Sequence, residues 1–161
     1  MADLQEKPLT LRQTEEIGLY AAQGPSDCGF DSDLLDALDP DTIVEAVGDF
    51  IDRWQKHHRH PHHPVPTYAP GTLDDVAMRL ACLWGIQVAE VLAWEWVQLG
   101  NQDDFYVALV SLDRAYGIYV LEWVGHFLED KNKDNTIILV FNCLKAGKLP
   151  SSSAHSYLIL W

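Results

Sequence analysis

The segment from Thr72 to Leu92 constrains the fold more than any other part of this 161-residue chain. Thr72 is a residue type that caps helix N-termini, and Asp74 and Asp75 follow in the first turn, where the helix dipole favours acid. Leu73, Val76, Leu80, Trp84 and Val88 then recur at three- and four-residue steps and mark one apolar stripe. A neighbouring stripe, Ala77, Ala81, Gly85 and Ala89, is made of small residues four apart, which lets another backbone approach closely. A helix that is apolar on two adjoining faces has to be covered on both. It is therefore expected at the centre of the molecule, buried on two sides.

The flanking segments supply the covering elements. Thr10 to Gln23 reads as a short helix capped by Thr10, with Leu11, Ile17, Leu19 and Tyr20 on its apolar side. Gly24-Pro25-Ser26-Asp27 is a turn cluster expected to end it. Asp31 to Leu38 predicts one or two helical turns. Asp39-Pro40-Asp41-Thr42 opens an amphipathic helix to about Lys56, with Ile43, Val44, Val47, Phe50, Ile51 and Trp54 inward. From His57 to Gly71 four prolines forbid a helix, so this stretch reads as an exposed connector.

After the central helix, Trp94 to Leu99 alternates, Gly100 to Asp104 turns, and Phe105 to Leu112 is rich in β formers, which predicts an antiparallel hairpin. Tyr119 to Leu128 predicts a helix with Val120, Trp123, Val124 and Phe127 inward. Thr136 to Ala146 fits a helix ended by Gly147, although its β-branched start leaves a strand open. Tyr157 to Trp161 resembles a terminal strand. The expectation is an α+β fold with a helical majority and a small antiparallel sheet. Its parts are an acidic helical segment (1–56), a His/Pro-rich connector (57–71) and an α+β segment (72–161), together forming one compact domain.

Composition narrows the class. A hydrophobic content of 48% in 161 residues supports a core without disulfide or metal and excludes disorder of the whole chain. Cys28, Cys82 and Cys143 are odd in number and widely spaced, which suits a reducing compartment. Met1 to Lys7 lacks the basic start and apolar stretch of a signal peptide, and no run approaches the about 18 apolar residues of a membrane span. The chain therefore reads as soluble and cytoplasmic.

Its charge is concentrated. Residues 1–54 carry thirteen acidic side chains against three basic ones, a net of −10 out of −13 for the whole chain. A field of one sign repels nucleic acid and anionic lipid and speeds encounter with basic partners. On this reading the acidic face of Asp31, Asp33, Asp36, Asp39, Asp41, Glu45 and Asp49 is the candidate contact surface. Trp94 and Trp96 share one strand face and join it as aromatic anchors if that face is open.

Residues able to carry chemistry are fewer. His57, His58, His60, His62 and His63 include steps of three and four, and imidazoles at His57, His60 and His63 could hold a divalent metal. The alternative is a solvated loop, and no cofactor is otherwise implied. Glu90 and Glu95 with His126, joined by Asp113 and Arg114, contain the groups needed for acid–base work, and each also fits a surface charge or ion pair. There is no Gly-rich phosphate loop, Cys-x-x-Cys pair or Gly-x-Ser-x-Gly elbow. No catalytic residue is assigned.

Two resemblances bear on function. Ser26-Asp27-Cys28-Gly29-Phe30 resembles the Asp-Cys-Ser-Gly-Phe nucleophile motif of bacterial cell-wall cysteine peptidases, and Tyr116 to Val120 echoes their second motif. One residue after the cysteine is missing, and Ala115 and Tyr116 stand where the activating histidine belongs, so Cys28 reads as a turn cysteine. The run from Gly85 to Val97 is similar to the helix, glutamate and tryptophan-strand segment of small acidic bacterial domains of unknown function, some of them immunity proteins. That resemblance implies an immunity protein paired with a secreted toxin; together with the dense acidic segment, which steers association with a cationic cleft, the expectation is a non-enzymatic cytoplasmic protein, monomeric or homodimeric, that binds and inhibits a basic toxin or nuclease. The resemblance names no site residues. A small metal-dependent hydrolase using the histidine-rich loop and a structural subunit of a larger assembly are the alternatives.

Overall fold

The computed structural model describes residues 3–161, so Met1 and Ala2, the first residues of the segment read above as lacking a leader, lie outside the described residues. Strand β1 (Gln5–Pro8) comes first. Four residues ending in proline show no readable alternation, which is why the sequence pattern does not announce it. Helix α1 (Leu11–Asp27) carries the expected cap: Thr10 Oγ1 accepts from the Gln13 N–H at 3.2 Å while the Gln13 side chain accepts from the Thr10 N–H at 2.9 Å. It does not end at Gly24-Pro25 but includes both and runs to Asp27.

A 3-10 turn (Ser32–Leu34) leads to α2 (Pro40–Arg59), capped by Asp39. This helix continues past Lys56 into the histidines, so His57 and His58 are helical and not part of an extended connector. It ends at His60, which precedes Pro61 and is held out of the helical region. Helix α3 (Leu73–Leu92) starts on a reciprocal Thr72–Asp75 cap and ends at Ala93, whose left-handed φ of 56° turns the chain into the sheet. Strands β2 (Glu95–Asn101) and β3 (Asp104–Val110) form the expected hairpin.

Then come β4 (Tyr116–Ile118), α4 (Val120–Glu129), α5 (Ile137–Lys145) and β5 (Leu158–Ile159). The segment left open between helix and strand is the helix α5. Its buried residues Ile137, Val140, Phe141 and Leu144 follow helical spacing, and that period outweighs the β-branched start.

The fold is α+β with a helical majority. The five strands lie in sequence order, antiparallel through β4, while β5 runs parallel to β4 and makes the sheet mixed at that edge. Buried residues of α2, α3, α4 and α5 join Trp94, Leu109, Ile118 and Leu160 in the largest core cluster. The acidic N-terminal segment thus contributes both to this core, through α2, and to the sheet, through β1.

Helix α3 is covered on both apolar faces, as its two stripes require. Trp84 is wholly buried and its Nε1–H donates to the Ile137 carbonyl at 3.3 Å. The small stripe receives an indole as well as helical neighbours: a Cβ on Gly85 would collide with the Trp96 ring. The close backbone approach falls elsewhere, at Gly24 of α1, where a Cβ would meet Leu83 Cβ at 2.9 Å and the Arg79 carbonyl at 3.0 Å. Among the described residues, no helix is long and apolar enough to cross a membrane.

Candidate functional site

The acidic face is built on a rigid support. Ile43, Val44, Val47, Phe50, Ile51 and Trp54 bury one side of α2, and Trp54 Nε1–H donates to the Leu128 carbonyl at 3.1 Å. Gln55, also buried, donates to the carbonyls of Phe127 at 3.0 Å and Lys133 at 2.9 Å. With that side fixed against α4, Asp41, Glu45 and Asp49, four residues apart, form one exposed row on the other. Asp31, Asp33 and Asp36 are exposed along the turn that precedes the helix.

Some of these carboxylates also have local duties. Asp31 accepts from the Asp33 N–H at 3.0 Å. Asp39 accepts from the Thr42 N–H at 2.9 Å and from its hydroxyl at 3.0 Å, and these bonds hold its carboxyl below the ordinary 3.8. Asp41 pairs with Lys145 of α5. Glu45 and Asp49 enter no ion pair among the described residues. Beside the row, Cys28, Ala46, Asp49, Asp52, Arg53 and Lys56 line a groove of about 440 Å³.

The aromatic anchors expected at Trp94 and Trp96 are not free. Trp94 is 8% exposed and belongs to the main core, while the half-buried Trp96 lies over Gly85 with its Nε1 buried and unpartnered. Alternation places the two on one face, but that face is turned toward α3.

The metal site expected at His57, His60 and His63 is not assembled either. The His57 Nδ1–H donates to the His63 carbonyl at 2.5 Å, and the His58 Nδ1–H donates to the Trp54 carbonyl at 2.8 Å. These bonds turn the first imidazoles toward the backbone as a helix terminus. No three His, Cys, Asp or Glu side chains among the described residues are grouped to hold an ion.

The Asp27-Cys28-Gly29 turn proves structural. Asp27 is buried and accepts from Arg79 Nε at 2.5 Å and from the Ala69 N–H at 2.6 Å, while Arg79 also donates to the Ala69 carbonyl at 3.0 Å. One ion pair thus ties the end of α1, the connector and α3 together. Gly29 adopts a φ of 81°, which favours glycine. Burial, reinforced by the Asp27 carboxylate, pushes the Cys28 thiol up to about 12, the opposite of an activated nucleophile.

Of the acid–base candidates, Glu95 and Arg114 meet, Asp113 accepts from the Ser111 hydroxyl and the Ala115 N–H of its own loop, and among the described residues no ion pair joins Glu90 or His126 to them. Glu95 and Glu6 share Arg114, at 2.5 Å and 2.9 Å, and Tyr157 donates to Glu6 at 2.9 Å. Burial pushes the Glu6 carboxyl up, but its bonds from Arg114 and Tyr157 outweigh that and hold it below the ordinary 4.5. This network fastens β1 to the β3–β4 loop and the C-terminal segment. Glu90 is exposed near the end of α3, and His126 is exposed on α4.

The fold also assembles a region that sequence reasoning missed. Glu122 and His126 of α4 stand between two clefts. A cleft of about 410 Å³ runs toward Asp74 and Met78 of α3. On the other side, a pocket of about 480 Å³ is lined by Tyr106, Tyr119, Trp123 and Trp161. These rings come from a strand, a helix cap, a helix and the C-terminal segment, so no local signal could have grouped them. Set beside known protein families, curated proteins and solved structures, the chain matches none of them.

Proposed function

We propose that this is a non-enzymatic, cytoplasmic binding protein whose acidic surface docks a basic protein, in the manner of an immunity-type inhibitor of a basic toxin or nuclease. The observation that supports this reading is the exposed row Asp41, Glu45 and Asp49 on a helix whose opposite side is packed into the core. Asp41 is offset by Lys145 and by its place in the first turn, but Glu45 and Asp49 are like charges four apart with no ion pair among the described residues, an arrangement that costs a helix about 0.2–0.5 kcal/mol. Held in place, the same carboxylates present an ordered negative field that accelerates encounter with a cationic cleft. A nuclease cleft built to meet phosphates is one such target. The free protein is a monomer or homodimer on this reading.

The test uses the full chain and a variant carrying Asp41→Asn, Glu45→Gln and Asp49→Asn as bait in a lysate of the source cell, with stepwise salt elution. The expected result is a basic protein retained by the parent, released at moderate salt and lost by the variant. With the purified partner, the association rate should fall steeply between about 0.05 and 0.5 M salt. A rate indifferent to salt, equal capture by the variant, or no basic protein on the parent would each overturn the proposal.

A further inference from the structure

The pocket between β3, α4 and the C-terminal segment is chemically unlike the acidic face. Its walls are the rings of Tyr106, Tyr119, Trp123 and Trp161, and its rim carries Glu122 and His126. Tyr106 and Tyr119 meet edge to face with centroids 6.2 Å apart, and Trp123 and Trp161 are tilted with centroids 6.4 Å apart. Tyr106 and Trp161 are 53% and 51% exposed, so much of their ring surface faces solvent.

Two further facts decide what such a pocket would take. Glu122 makes no ion pair among the described residues, and its charge reaches the cavity: the Tyr119 hydroxyl is pushed up by burial and then by that carboxylate. The lysines that sit over aromatic rings among the described residues cover Phe105, Phe127 and Phe141, and none covers a ring of this pocket. Ring faces are negative and attract a cation, most strongly one too weakly hydrated to prefer water. A lone carboxylate at the rim adds long-range attraction of the same sign.

We infer that this pocket binds a small organic ammonium ion, with the cationic head against Tyr106, Tyr119 and Trp161 over a floor formed by the buried Trp123, and Glu122 as counter-charge. A volume of about 480 Å³ lies in the range of small-molecule sites. The ring faces favour a methylated or quaternary head over a primary ammonium, because methyl groups weaken hydration and fill apolar space. This site is independent of the acidic row on α2 and stands or falls separately from it.

Choline and its neutral isostere 3,3-dimethylbutan-1-ol distinguish charge recognition from simple apolar filling. Both are titrated into the full chain and followed by tryptophan fluorescence and by NMR of the aromatic resonances. Choline is expected to bind saturably and the alcohol at least about tenfold more weakly. Tyr106→Leu should weaken choline roughly threefold or more, and Glu122→Gln about two- to fivefold. Both positions are exposed, and unchanged far-UV circular dichroism will show that the variants fold. Equal binding of the two probes, no saturable binding of choline, or variants with parental affinity would overturn the site. A trimethyllysine peptide that binds more tightly than choline would overturn the assignment to a free small molecule.

Discussion

Asp27 shows how one residue can imitate a catalytic motif while serving packing. Its carboxylate and the Arg79 guanidinium are both shut away from water, with side chains 0% and 4% exposed. Removing one partner strands the other. Asp27→Ala should therefore cost about 3–5 kcal/mol by urea denaturation, and adding Arg79→Met should restore much of the loss by removing the orphaned charge. The cysteines supply a second residue-scale expectation. Burial pushes Cys82, like Cys28, from the ordinary 9.0 up to about 12. A folded-state value above the unfolded one favours the native state while the thiol is protonated. That contribution is complete below pH 9 and is lost as pH rises toward 12. Alkylation of both thiols at pH 8 should be slow in the native protein and fast in denaturant, and stability measured from pH 9 upward should decline.

At the scale of elements, local rules hold until another element overrides them. Pro25 ends a helix by the usual rule, because it lacks an N–H and crowds the preceding turn. Here it falls in the last turn of α1, where Gly24 packs on α3 and Asp27 meets Arg79, and these contacts carry the helix through. Two glycine exchanges on α3 should act in opposite directions. Gly85→Ala drives a methyl into the Trp96 ring and should cost about 1–3 kcal/mol, read as a lower urea midpoint at constant slope. Ala93→Gly relieves a left-handed alanine at the helix end and should add up to about 1 kcal/mol in the same assay.

For the whole molecule, charge is the dominant surface property. A net −13 on 161 residues repels itself in the folded state more than in the expanded chain. Salt should therefore stabilise the protein: the thermal midpoint is expected to rise from about 0.01 to about 0.2 M sodium chloride, where the screening length falls to under about 10 Å. Glu45→Lys turns two like-charge neighbours on α2 into attractive ones and should also raise the midpoint, while weakening capture of the basic partner. A variant gaining stability but keeping full capture would separate the charge row from binding.

The amphipathic helices α2 and α3, their caps and the β2–β3 hairpin were legible because each is written within a single stretch of chain: an apolar period, a capping residue, a turn between two strands. The acidic row was legible for the same reason, since residues four apart on a helix share a face wherever that helix lies. Strands β1 and β4, of four and three residues, were not, because they gain their hydrogen bonds from distant partners and carry no apolar period of their own. The fate of Trp94 and Trp96 was equally hidden: alternation put them on one face, and only the docking of the sheet on Gly85 decided that the face is inward. The pocket of Tyr106, Tyr119, Trp123 and Trp161 exists only in three dimensions. Sequence determined which faces are apolar and which are charged, because those depend on neighbours along the chain; tertiary structure decided which faces meet, because burial depends on neighbours in space.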